Sequence, residues 1–211
     1  MLGFATGLAI LFARAARFTR TPAEWAALTV GAALGYLLAD FMSGFFHWVG
    51  DTLGDERTPV LGRTFIVPFR QHHVHPKEIA DHDFLHTNGN SSIVALPFYG
   101  AVIVGCPDPE APGLFVTSFI ASGGLWCFLT NQFHKWAHAD RVPGLVRGLQ
   151  RWGVILSPER HAKHHTPPYD GHFCITSGWL SGPLDRIGFF RGLERIVGAL
   201  RPGLVHRERR A

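Results

Sequence analysis

The sequence predicts an all-α protein: membrane helices capped on their cytoplasmic side by a histidine-rich helical layer. Three observations point there. Of 211 residues, 46% are hydrophobic and only 17% are charged, which is a low charge for a soluble domain. The apolar residues gather in stretches of helical length separated by Pro and Gly turns. Histidine, with 13 copies against 3 lysines, is concentrated where those stretches end.

Residues 1–20 open as an apolar segment that stops at Arg14, Arg17 and Arg20. This predicts an interfacial or partial membrane helix. Residues 21–195 form the main domain. Its first apolar stretch, 23–48, is long enough to cross a bilayer at 1.5 Å per residue, and Asp40 and His47 mark its polar end. Two shorter stretches, about 93–106 and 114–130, flank a Pro-rich turn at 107–112 and predict a helical hairpin, each arm short for a full span. Asn88-Gly89-Asn90 reads as the turn before it. From 185 to 200, apolar residues at helical spacing alternate with arginines, predicting an amphipathic helix on the membrane surface or a helix covering the site. Residues 196–211 form a basic tail, expected to be disordered from Val205 with Arg207, Arg209 and Arg210.

Composition also excludes. With Phe 17 and Trp 6, the chain can bury enough surface to order itself. The net charge of +4 includes no run of five like charges, and the aromatics do not interleave with the basic residues. A membrane surface therefore fits better than nucleic acid. Cys106, Cys127 and Cys174 are odd in number and far apart, the pattern of reduced packing residues. Residues 51–90 and 131–211 hold 17 of the 20 Lys+Arg, which places them on the cytoplasmic side. Arg14, Arg17 and Arg20 run against that assignment if the next helix crosses once.

Four histidine groups carry the chemistry. Asp40, His47 and Asp51 fall on one helical stripe. His72 and His73 are adjacent, cannot face the same way on a helix, and so suit two metals or one metal and a supporting partner. His82 and His86 follow one turn apart. His134 and His138 share a face at i, i+4, with no Glu after His134 to make a zinc-protease pattern. His161, His164 and His165 share a face again. One catalytic zinc or a bis-histidine haem would leave most of them unused. Two metals account for more, and a pair of iron ions suits imidazole ligands, with copper, manganese and zinc open on spacing alone. Asp40, Asp51 and Asp83 suit either fixing ligand imidazoles or the place of ordinary helix-end acids, and Arg70, Lys135 and Lys163, beside the ligands, suit either a phosphate group or a solvated basic surface.

These residues resemble the plasmanylethanolamine desaturase (Kua-like) family of histidine-rich membrane lipid desaturases. The resemblance covers roughly residues 40–190. It rests on Asp40, Gly44, His47-Trp48 and Asp51, on Pro68-Phe69-Arg70-Gln71-His72-His73, and on His82-Asp83-Phe84 with Thr87-Asn88-Gly89-Asn90. It continues through Asn131-Gln132-Phe133-His134-Lys135-Trp136-Ala137-His138, the 161–165 cluster and Phe173-Cys174-Ile175-Thr176-Ser177-Gly178-Trp179-Leu180. It implies an integral, multi-pass membrane oxidoreductase that uses two non-haem iron ions and O2 to turn the alkyl ether of plasmanylethanolamine into the vinyl ether of a plasmalogen. His47, His72, His73, His134, His138, His161, His164 and His165 match the family's essential histidines, and His82 is a further expected metal ligand. Asp40, Asp51, Asp83 and Asn131 are expected around them, and His75, His86 and His172 in supporting or surface roles. With no nucleotide-binding Gly-x-Gly-x-x-Gly and no cysteine cluster, electrons are expected from a cytochrome b5 or a ferredoxin. Alternatives are an acyl-lipid desaturase or hydroxylase with the same site, and a non-enzymatic metal or haem membrane protein.

Overall fold

A computed structural model describes residues 1–206, and the basic residues expected in a disordered tail at 207–211 lie outside them. Among the described residues the protein is helical, with no strand beyond an isolated antiparallel bridge between Leu53 and Val205. It divides into two compact units, Met1–Ala39 with Asp83–Gln132, and Asp40–His82 with the chain from Phe133 onward. The helices α2 (Pro22–Thr52) and α6 (Ala111–His138) contribute to both. These two are long and apolar enough to cross a membrane.

In the first unit, α1 (Leu2–Phe18) packs on α5 (Phe84–Gly105). Phe4, Leu11, Tyr99 and Phe128 form its core, with the Phe4 ring 4.5 Å from that of Phe128. The helix α1 continues past Arg14, because that side chain is absorbed by a helix end. Its Nη1 donates to the carbonyls of Ile103 (2.6 Å) and Cys106 (3.1 Å), where α5 has unpaired acceptors. The start of α2 is a capping box: Glu24 Oε2 accepts from Thr21 N (2.8 Å), and Thr21 Oγ1 accepts from Glu24 N (3.3 Å). Further along, Gly31 and Gly35 let α2 meet α6 backbone to backbone. A Cβ at Gly31 would lie 2.4 Å from Phe115 O, and one at Gly35 would lie 2.3 Å from Phe119 O. This is the small-residue contact by which membrane helices associate where burial from water gives no drive. Trp25, Val30, Leu34, Ile93, Phe98 and Val104 remain exposed, an apolar surface suited to lipid.

Two expectations are corrected here. Asn88-Gly89-Asn90 is not a turn but the second turn of α5. The helix begins at Phe84, where the Asp83 side chain caps it by accepting from His86 N (2.7 Å). The Nδ2 of buried Asn88 is satisfied inside it, donating to Phe84 O (3.0 Å) and Gln132 Oε1 (3.3 Å). The hairpin arms are consequently longer than expected, 22 residues in α5 and 28 in α6, about 33 and 42 Å at 1.5 Å per residue.

The second unit gathers the end of α2, a π-helical turn (Gly62–Ile66), α3 (Val67–Val74), α4 (Glu78–Asp81), the end of α6, α7 (Gly144–Arg151), α8 (Pro158–Ala162), α9 (Ser181–Arg186) and α10 (Phe189–Leu200). The amphipathic segment expected from 185 is two helices, broken at Gly188 with φ +64°. Phe190 is buried against Phe173 and Trp48, with ring centroids at 5.0 and 6.1 Å, so α10 covers the histidine-bearing core. The tail is anchored as far as His206, whose N–H donates to Thr52 O (2.8 Å), while Gly54 N donates to Leu204 O (2.7 Å).

Candidate metal centre

All eight histidines carried by the resemblance belong to the second unit. Each is placed by local structure. His47 and Asp51 are one turn apart at the end of α2, His72 and His73 lie on α3, and His134 and His138 close α6. His161 lies on α8, whose Ser157 cap accepts from Arg160 N and whose first residue is Pro158. His164 and His165 follow directly.

The side chains converge into two groups whose possible ligand atoms each lie within 4.8 Å of one another. One comprises His72, His134, His138, His161 and His165; the other comprises His47, Asp51, His73 and His164. Adjacent His72 and His73 divide between them, as helix geometry requires. In the first group the Nε2 atoms stand 2.9 Å apart for His72 and His138, 2.8 Å for His134 and His161, and 3.0 Å for His161 and His165. In the second, Asp51 Oδ2 lies 3.1 Å from His73 Nε2, 3.3 Å from His164 Nε2 and 3.7 Å from His47 Nε2. The groups adjoin, with the His47 ring centroid 5.6 Å from that of His134.

This arrangement fits metal ions. Neighbouring imidazole ligands at right angles about an ion, each bonded at about 2.1 Å, would place their nitrogens about 3 Å apart. His47 Nε2 is buried without a hydrogen-bond partner, a cost that a metal bond would remove. Outside the membrane-length helices, burial first and neighbouring imidazoles second push His72 down to about 2 and His165 down to about 3. The same causes hold His161 well below the usual histidine range. These three imidazoles are therefore neutral and able to bind a cation at pH 7.

Backbone carbonyls orient the second group. His47 Nδ1–H donates to Phe173 O (3.1 Å) and His164 Nδ1–H to Gly171 O (2.8 Å), which leaves each Nε2 lone pair facing Asp51. Sequence reasoning missed both carbonyls, since a backbone acceptor has no side-chain signature. Asp51, expected as a support, is itself a possible ligand.

Other expected residues have different surroundings. Asp40 accepts from three backbone N–H groups, those of Ser177 (2.7 Å), Gly178 (2.9 Å) and Leu180 (3.0 Å). It holds the loop behind the second group rather than an imidazole. Asp83 caps α5, and Asn131 donates to Thr87 O (3.1 Å) and Ser91 Oγ (3.3 Å). Exposed His82 belongs to neither group, and its carbonyl accepts from Lys135 Nζ. Arg70 donates to Leu53 O (3.1 Å) and Gly54 O (2.8 Å). His75 and His86 are exposed, while His172 Nε2 lies 3.6 Å from Asp185 Oδ2. Cys106, Cys127 and Cys174 are free.

Comparison with known proteins adds an independent observation. Residues 36–207 match the lipid desaturase domain family. The chain is 50% identical over 165 residues to the plasmanylethanolamine desaturase of Myxococcus xanthus, covering 78% of this chain and 58% of that protein. It is 40% identical over 190 residues to plasmanylethanolamine desaturase 1 of Mus musculus, covering 88% and 69%. To the chloroplastic fatty acid desaturase 4 of Arabidopsis thaliana it is 38% identical over 165 residues, covering 77% and 49%. No solved structure matches it.

Proposed function

The chain belongs to the lipid desaturase family, and from that premise and the two ligand groups we propose that it is a membrane oxidoreductase converting the alkyl ether of plasmanylethanolamine to a vinyl ether. The pair of groups carries the reading, because eight imidazoles and a carboxylate exceed what one ion can bind. His72, His134, His138, His161 and His165 hold one ion, and His47, His73, His164 and Asp51 the other. Two iron ions, when bound, supply the reductive activation of O2 that removes two hydrogens from adjacent methylenes. The balance is R–O–CH2–CH2–R′ + O2 + 2 H+ + 2 e− giving R–O–CH=CH–R′ + 2 H2O. The carbonyls of Phe173 and Gly171 keep His47 and His164 in the tautomer that presents Nε2.

The protein crosses the membrane more than once, with the histidines on the cytoplasmic side, a placement supported by the 17 of 20 Lys+Arg in residues 51–90 and 131–211. Its electrons come from a separate carrier such as cytochrome b5 or a ferredoxin, docked on that basic face. The acyl-lipid alternative is favoured by the similarity to fatty acid desaturases of Arabidopsis thaliana and of a mimivirus, at 31–38% identity against 50% and 40% to the two plasmanylethanolamine desaturases.

Expression in cells that contain alkyl-ether phospholipids but lack the desaturase tests the proposal. The expected product is an acid-labile vinyl ether, seen as aldehydes after mild acid and as a loss of two hydrogens by mass. Saturated ethers beside a newly unsaturated acyl chain would replace the substrate. No lipid change, with iron bound and a reductant supplied, would overturn the reading.

A further inference from the structure

A cavity of about 290 Å3 in the second unit is lined by Arg160, Lys163, His172, Cys174, Trp179 and Ser181. None of them belongs to the two ligand groups. Its size is at the small end of ligand pockets, suited to a polar headgroup rather than a lipid chain.

Its walls are set by backbone. Arg160 Nη1 donates to the carbonyls of Ser177 (2.9 Å) and Gly153 (3.3 Å), and Trp179 Nε1 donates to the same Gly153 carbonyl (2.7 Å). Gly153 has φ +70°, and a Cβ there would lie 2.7 Å from Arg160 Nη2. The guanidinium and the indole are thus fixed around one carbonyl that only glycine can present so closely. Among the described residues, Nη2 and Nε of Arg160 have no protein acceptor, and neither Arg160 nor Lys163 is in an ion pair. Two acids adjoin the cavity and both are engaged by backbone: Asp185 accepts from His172 N–H (3.1 Å), and Asp40 accepts from the N–H groups of Ser177, Gly178 and Leu180. Two cations without an ion-pair partner among the described residues therefore line the space, the chemistry that recognises a phosphate.

The cavity also shares its framework with the metal ligands. Arg160 and Lys163 alternate along the chain with His161 and His164. His172 and Cys174 flank Phe173, whose carbonyl orients His47. An anion seated there would touch the same helical turn and the same loop that present the second ligand group.

We propose that this cavity binds the phosphate of the phospholipid substrate's headgroup, with Arg160 donating through Nη2 and Nε and Lys163 supplying the second charge. The proposal rests on the phospholipid desaturase reading and deepens it by naming the subsite that fixes the lipid beside the ligands.

The test is calorimetric titration of the full-length, metal-loaded protein in detergent. The ligands are a short-chain 1-O-alkyl-2-acylglycerophosphoethanolamine, the matching alkylacylglycerol without phosphate, and inorganic phosphate. Arg160→Gln and Lys163→Gln should each weaken the phospholipid about tenfold or more, with partial recovery in Arg160→Lys. Affinity for the neutral glyceride should not change, nor should metal content. Inorganic phosphate should compete with the phospholipid on the wild type and lose that effect in Arg160→Gln. Because Arg160 also ties two carbonyls, Lys163→Gln decides if Arg160→Gln fails to fold. Unchanged phospholipid affinity in Lys163→Gln would overturn the proposal. So would phosphate that binds the wild type without displacing the lipid, which would assign the cavity to a free anion. Cavity-dependent lipid binding without any desaturation would sustain this inference while overturning the enzymatic reading, and desaturation with affinity independent of Arg160 and Lys163 would do the reverse.

Discussion

The two ligand groups are built by different means. The five-imidazole group is assembled largely by i, i+4 spacing: His134 with His138 at the end of α6, and His161 on α8 with His165 in the turn after it, to which α3 adds His72. The three-imidazole group includes a carboxylate, and two of its histidines are aimed by carbonyls of an irregular loop. Side-chain spacing alone can make the first. The second depends on a loop held in place by Asp40 and by Ser43, whose Oγ accepts from Ile175 N (2.9 Å). The two should therefore fail differently when perturbed.

The largest effect should come from removing a ligand. His134→Ala and His47→Ala should each abolish vinyl-ether formation, by more than about 100-fold relative to wild type, as expected beyond the loss from orienting partners. Protein should still accumulate, and product at wild-type levels in either variant would remove that group from the mechanism. Next, Asp51→Asn keeps the shape and removes the charge of the second group. Activity should fall about 10- to 100-fold, and the metal lost should come from this group while the five-imidazole group stays loaded.

Asp40→Asn should act through the loop. It cannot serve three backbone donors as a carboxylate does, so thermal unfolding should report a loss of about 1–3 kcal/mol, with metal affinity reduced in the second group only. Equal loss from both groups would show that the loop supports the whole site. The smallest effect belongs to His82→Ala. Outside both groups, it should retain full metal and activity within about twofold of wild type, in line with surface substitutions. Lost metal would make His82 a ligand after all.

Helical spacing made the His134–His138 and His161–His165 pairs legible, but it also put His164 on the face of His161 and His165, and that expectation is corrected: the chain leaves α8 at Ala162, and His164 joins His47, Asp51 and His73 instead. The sequence also separated His72 from His73, since adjacent helical residues diverge. It could not reveal that Phe173 O and Gly171 O orient imidazoles, because backbone acceptors are common to every residue. Nor could it locate the partners of Asp40, which lie more than a hundred residues away. Asn88-Gly89-Asn90 misled because its turn composition is overridden by the Asp83 cap and by Phe84 O and Gln132 Oε1, which accept from the buried Asn88 Nδ2. The helix α10 was ambiguous for a related reason: an apolar stripe has the same spacing whether it faces lipid or Phe173.

We propose that this chain holds two metal ions in two unlike groups. This is tested most directly by the metal content of purified wild-type protein beside His138→Ala and His47→Ala, measured per chain by elemental analysis with an absorption spectrum. Two iron ions and no haem band are expected in the wild type, with a different ion lost in each variant. A single ion per chain, stoichiometric zinc with full activity, or a haem spectrum would contradict it.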